Sequence, residues 1–161
     1  TQDVVVGSKV NVPYLLRLQA VLGHKYRSVA VVRHPAYTIG SWRSKKSEVL
    51  RVAQVSDKNM NSAWSEFTFK GDNEIARMAE LWNLLASIIW RQRNQLEILR
   101  YEDLTSDPEN TLTPINDWFN LPFSNIETDL INMNSDDRYD DIGEIKEYVQ
   151  AYAPIRKEFG Y

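Results

Sequence analysis

The chain of 161 residues has no cysteine, so it can build neither a disulfide framework nor a thiolate metal site, and its redox compartment stays open. His24 and His34 are its only histidines, which narrows the choice of general base. No apolar run approaches the ~20 residues of a membrane span, and the amino terminus lacks the basic-then-apolar pattern of a signal peptide. The chain is therefore expected to be soluble and cytoplasmic. Internal repeats, low-complexity tracts and interdomain linkers are also missing. A basic stripe with interleaved stacking aromatics is lacking too, which argues against nucleic acid as a partner. What remains is ordinary globular material, 43% hydrophobic and 25% charged. Residues 1–161 are expected to form a single domain, long enough to bury roughly two-thirds of the unfolded surface.

The net charge of −3 hides a separation of sign. The first third carries Lys9, Arg17, Lys25, Arg27, Arg33, Arg43, Lys45, Lys46 and Arg51 against Asp3 and Glu48. Residues 127–147 are acidic, from Glu127 and Asp129 through Asp136, Asp137, Asp140, Asp141 and Glu144 to Glu147. Such a distribution favours an anionic ligand at the front of the chain.

Apolar, β-type runs alternate with helical patterns. Asp3–Gly7 reads as a first strand and Pro13–Leu22 as a helix ended by Gly23. Tyr26–Arg33 reads as a second strand buried on both faces, and Pro35 to about Lys45 as the next helix, with Pro35 at its first position. From Ser47 to Gly71 the pattern dissolves into a long polar loop holding Trp64, Phe67 and Phe69. Asn73–Arg93 is the clearest helix, with Ile75, Met78, Trp82, Leu85 and Ile89 on one face, Arg77, Glu80 and Arg91 elsewhere, and a sheet as its expected support. Leu96–Tyr101 gives a third strand, Asp107 caps a helix opened by Pro108, and a last helix runs from about Gly143 to Phe159. Strands separated by helices predict an α/β fold with a parallel sheet and right-handed crossovers.

The most informative stretch is Val29-Ala30-Val31-Val32-Arg33-His34-Pro35, followed by Ser41. It sets an arginine at the carboxyl edge of the sheet, where open α/β folds bind ligands, and a serine just inside the following helix. A guanidinium offers forked donors to a phosphate, and a hydroxyl adds one more. The plainer reading is that Arg33 pairs with a carboxylate and Ser41 fills space.

Taken together, several segments resemble the PAPS-dependent sulfotransferases of bacterial type (PAPS, 3′-phosphoadenosine-5′-phosphosulfate). Val-Val-Arg-His-Pro with Ser41 eight residues after Arg33 is similar to the family's 3′-phosphate-binding segment. Lys9 and Pro13 fall on familiar positions before it, and Arg100-Tyr101-Glu102-Asp103-Leu104 with Ser106-Asp107-Pro108 resembles a Tyr-Glu-Asp-Leu segment. The closing Ile155–Tyr161 resembles the end of many bacterial members. The resemblance implies a three-layer, mostly parallel sheet flanked by helices, as in phosphate-loop nucleotide kinases and sulfotransferases. It implies cofactor binding by Arg33, Ser41, Tyr101 and Lys9, with Lys9 also acting at the leaving phosphate. The co-substrate would be PAPS, the product 3′,5′-adenosine bisphosphate, and no metal is implied. The acceptor would be a hydroxyl or amine on a small molecule, glycan or lipid. Trp64, Phe67 and Phe69 of the polar stretch read either as an apolar wall that meets it or as a small satellite core.

Two departures shape these expectations. The family's strand, Gly/Ser/Thr-rich phosphate loop and helix for the 5′-phosphosulfate have no match, since Gly7-Ser8-Lys9 is no such nest. The chain is therefore expected to be an amino-terminally truncated sulfotransferase domain or one completed by another chain, with exposed sheet edges that permit a homo-oligomer. Asn11 stands where cytosolic members carry their catalytic histidine, and an amide cannot take the acceptor's proton. His34 is a candidate base, against the reading that it caps Pro35's helix; the base is left unassigned. Glu102 and Asp103 are expected to support a loop or cap a helix. Two other functions stay open: a non-catalytic nucleotide-binding or oligomerising remnant, and a phosphate-loop kinase-like phosphotransferase. Gly-x-x-x-x-Gly-Lys-Ser/Thr, which the latter would need, is absent.

Overall fold

The computed structural model describes residues 27–44, 68–119, 139 and 141–161. The expected first strand and first helix, most of the polar stretch, and Lys9, Asn11, Trp64 and Phe67 lie outside these residues. The described part is helix-rich with a small parallel sheet, an α/β arrangement at the coarse level. Strand β1 (Val29–Val32) leads through α1 (Pro35–Ser44) to α2 (Glu74–Arg91), and β2 (Glu97–Arg100) runs into α3 (Tyr101–Ser106) and α4 (Pro108–Phe119). Helix α5 (Ile142–Tyr152) and a 3₁₀ helix (Pro154–Phe159) follow. None of the described helices is long and apolar enough to cross a membrane.

β1 and β2 pair in parallel, with Val29 opposite Glu97, Ala30 opposite Ile98, Val31 opposite Leu99 and Val32 opposite Arg100. The apolar, β-branched run dictates β1, but not burial on both faces, because Val31 is 53% exposed. The reason is local: among the described residues β1 pairs on one side only, and a cleft opens beside Val31. Both strands are shorter than expected. Tyr101 belongs to α3, so β2 stops one residue before the tyrosine.

Helix α2 carries the core. Asn73 caps it by accepting the Ala76 N–H at 2.9 Å, and the Asn73 amide donates to the Tyr148 hydroxyl at 2.6 Å, fixing α2 against α5. Ile75, Met78, Trp82 and Ile89 are buried, as the helical period predicts, whereas Leu85 is half-buried at the cleft. Among the described residues the main supports of α2 are α1, α5 and the 3₁₀ helix. Trp82 and Trp90 meet Phe159 edge-on at 6.2 and 5.3 Å. The expected single closing helix is divided, because Pro154 has no N–H to donate and forces Ala153 out of helical geometry at φ −125°, ψ 59°.

Glu80 departs from the polar face that its position suggests. It is 8% exposed, and its carboxylate accepts the Lys70 N–H at 2.9 and 3.0 Å and the Gly71 N–H at 3.2 Å. Arg77 Nε completes the clasp by donating to the Gly71 carbonyl at 2.9 Å. Glu80→Ala would orphan both main-chain donors, each costing about 1–3 kcal/mol. Urea denaturation of Glu80→Ala is expected to show a stability loss of about 2–4 kcal/mol, and Glu80→Gln, which keeps one acceptor oxygen, a smaller one.

Candidate functional site

The level ends of β1 and β2 make Arg33 and His34 neighbours of Tyr101 and Glu102. The Arg33 guanidinium carbon lies 4.9 Å from the centroid of the Tyr101 ring, a cation–π contact worth about 0.5–1 kcal/mol where exposed. Arg33 is half-buried and borders a cleft of about 240 Å³ between β1, α1 and α2. Thr38 and Ser41 of α1 line the same cleft, whose remaining wall includes Trp42, Trp82 and Leu85. Helix geometry explains the pairing of functions: Pro35 starts α1 immediately beyond the strand, so its first turns lie against the strand end.

The hydroxyls differ in what they have left to offer. Thr38 donates its proton to the carbonyls of His34 and Arg33, at 3.1 and 3.3 Å. Ser41, which lines the cleft, makes no side-chain hydrogen bond among the described residues. Guanidinium and hydroxyl together suit a tetrahedral oxyanion.

His34 is engaged from two sides. Its main-chain N–H donates to Glu102 Oε1 at 2.8 Å, and its Nδ1 accepts the Ala36 N–H at 3.1 Å. A neutral ring with Nδ1 accepting carries its proton on Nε2 and has its lone pair engaged by the Ala36 N–H. The ring therefore caps α1, and Glu102 supports the turn that leads into it, as expected for that acid.

Tyr161 closes the corner. Gly160 adopts φ 75°, a left-handed conformation natural to glycine, and turns the chain back toward the strand ends. The Tyr161 hydroxyl lies 2.5 Å from Glu102 Oε2 and 3.0 Å from the Val32 carbonyl, sharing one proton between them. Its ring stands edge-on to His34 at 5.1 Å and under the Arg100 guanidinium at 4.8 Å. Burial, then the bond to Glu102, pushes the phenol well above the ordinary tyrosine range, with Arg100 opposing.

The structure thus brings Arg33 and Ser41 to one cleft and sets Tyr101 against the guanidinium. Phe69 is half-buried in the strand of chain held by Glu80 and does not line that cleft. Thr38, Trp42, Trp82 and the Glu102–Tyr161 pair were not foreseen as parts of the site. Thr38 had a local signal, its spacing of four residues from the helix-capping His34; the pair, 59 residues apart, had none. The separation of charge along the sequence is also partly undone in space, since Arg43 forms an ion pair with Asp141. A scan against protein-family models, a search of curated proteins and a search of solved structures each found no match.

The raised phenol has a consequence with a definite sign. Above about pH 10 the unfolded chain releases the Tyr161 proton while the folded chain keeps it, so the unfolded state binds fewer protons and stability falls as pH rises. Below that range this contribution is fully present. Denaturation midpoints followed from pH 9 to 11.5 are expected to decline more steeply for the wild type than for Tyr161→Phe, the other tyrosines being common to both.

Proposed function

We propose that this chain is the 3′-phosphate-binding part of a PAPS-dependent sulfotransferase domain, in which the cleft beside β1 holds a phosphate of the adenine nucleotide. The observation that carries the reading is that an arginine and a serine, the latter with no side-chain hydrogen bond among the described residues, line one cleft at the carboxyl end of a parallel strand. In this reading β1 and β2 belong to a three-layer, mostly parallel sheet, Arg33 supplies charge to the phosphate, and Ser41 adds a directional donor. Tyr101 steadies the guanidinium from below, and Lys9 supplies charge at the leaving phosphate, as the resemblance implies. The sulfuryl group passes to a hydroxyl or amine acceptor whose proton needs a base.

One observation favours a second reading, nucleotide binding without turnover: the ring of His34 is committed to capping α1. The two readings share the cleft and differ only in chemistry. Transfer of labelled sulfate from PAPS to a panel of phenols, sugars and amines separates them, with transfer supporting the enzyme and binding alone supporting the remnant.

Isothermal titration with 3′,5′-adenosine bisphosphate tests the shared part. Charge-assisted hydrogen bonds contribute about 1.5–3 kcal/mol, so Arg33→Ala is expected to weaken binding roughly 10- to 100-fold. Ser41→Ala, losing a neutral donor of about 0.5–1.5 kcal/mol, is expected to weaken it roughly 2- to 10-fold. Affinity unchanged in both variants would remove the proposal.

A further inference from the structure

We infer that Tyr161 and Glu102 are positioning residues for anion capture by Arg33, one phenol–carboxylate pair fastening the main chain on both sides of it; this rests on the phosphate-binding reading of the cleft. The Tyr161 hydroxyl reaches the carbonyl of Val32, the residue before Arg33, at 3.0 Å. Glu102 Oε1 accepts the N–H of His34, the residue after it, at 2.8 Å. The two clamps are joined to each other by the 2.5 Å bond between the phenol and Glu102 Oε2. One hydroxyl thus links the strand end to the carboxylate that holds the residue after Arg33.

The location of this bond network gives it a role beyond holding the fold together. Strand ends fray, because beyond the last ladder pair the main chain has only water to satisfy it. Arg33 lies immediately past Val32, the last paired residue of β1, and its guanidinium must be held to within a fraction of an ångström for forked binding. Neither Glu102 nor Tyr161 lines the cleft, so both act without occupying the space of a ligand.

The same bonds orient a carboxylate that would otherwise oppose the site. An acid one residue from Tyr101, on whose ring Arg33 lies, is placed to compete for the guanidinium and to repel an incoming anion. Each Glu102 oxygen is instead met by a donor, the His34 N–H on one and the phenol on the other. The tyrosine therefore serves twice, tying down Val32 and drawing Glu102 toward the main chain.

Tyr161→Phe removes the hydroxyl and keeps the ring that meets His34 and Arg100. Binding of inorganic sulfate and of 3′,5′-adenosine bisphosphate, followed by NMR titration, is expected to weaken about five- to tenfold for each, with faster hydrogen exchange at the His34 amide. Glu102→Gln, which keeps a carbonyl oxygen for the His34 N–H, is expected to retain more affinity than Glu102→Ala and serves if the phenylalanine variant does not fold. The decisive readout is a double-mutant cycle with Arg33→Lys, which keeps the charge and loses the fork. A combined loss clearly smaller than the product of the single losses supports positioning through Arg33, because a structural role alone gives the product. Multiplying losses, or unchanged affinity in Tyr161→Phe, overturns the inference. A wild type that binds sulfate but not the nucleotide overturns the nucleotide reading and leaves the positioning role to the sulfate cycle. Binding of neither overturns both.

Discussion

Because Val32 lies opposite Arg100 in a parallel ladder, the two strands end at the same level, and the residues just beyond them are forced into contact. Every feature of the corner follows from that register. Arg33 meets Tyr101, His34 meets Glu102, and a helix starts from each strand end within three residues. A slip of one residue would exchange the faces of a strand and turn Arg33 away from the cleft. The pairing is thus a structural element and, at the same time, the device that brings Arg33 to Tyr101 and His34 to Glu102.

Two short strands cannot define an arrangement of helices by themselves, and the structure shows what does. Side-chain oxygens placed at the junctions accept main-chain N–H groups from distant segments. Glu80 holds Lys70 and Gly71, Asn83 holds Ile155 across 72 residues, and Glu102 holds His34 across 68. Apolar packing of α2 against α1, α5 and the 3₁₀ helix is tolerant of small shifts, whereas each of these bonds has one geometry. Leaving such a donor unpaired costs more than the bond itself contributes. Hydrophobic burial therefore supplies the bulk of the driving force here, and a few side-chain acceptors select one packing among many.

What could be read from the sequence was what local chemistry decides. The β-branched run of β1, Pro35 at the start of α1, the apolar face of α2, and the cap of α4 at Asp107 all follow from period and capping. Asp107 Oδ1 does accept the Asn110 N–H, at 3.3 Å. The placement of Arg33 and Ser41 on one cleft was also legible, because a strand followed at once by a proline-started helix leaves few alternatives. Illegible were the features set by distant residues. Glu80 sits on the polar side by helical period, yet a loop that folds over it turns the position into a buried anchor. Tyr161 reaches Val32 across 129 residues, and no local pattern marks a contact of that span. Pro154 was a local signal, and the expectation of one unbroken closing helix gave it too little weight.

Charge teaches a related lesson about where specificity at the corner resides. A basic front third and an acidic stretch late in the sequence suggest a long-range positive field, yet Arg43 pairs with Asp141, and Lys146 lies over the Tyr37 ring at 5.9 Å. Beyond about 10 Å in physiological salt, the fields of exposed charges are largely screened. A screened long-range field does not by itself select among anions. In the proposed reading, selection falls to short-range geometry: a forked donor held by its flanking main chain, and a hydroxyl on the facing helix. Within the reach of hydrogen bonds, a tetrahedral anion satisfies both at once and a planar carboxylate does so less completely. Under the proposed phosphate-binding reading, the restraint on Arg33 would bear on which anion the cleft accepts as well as on how tightly it binds.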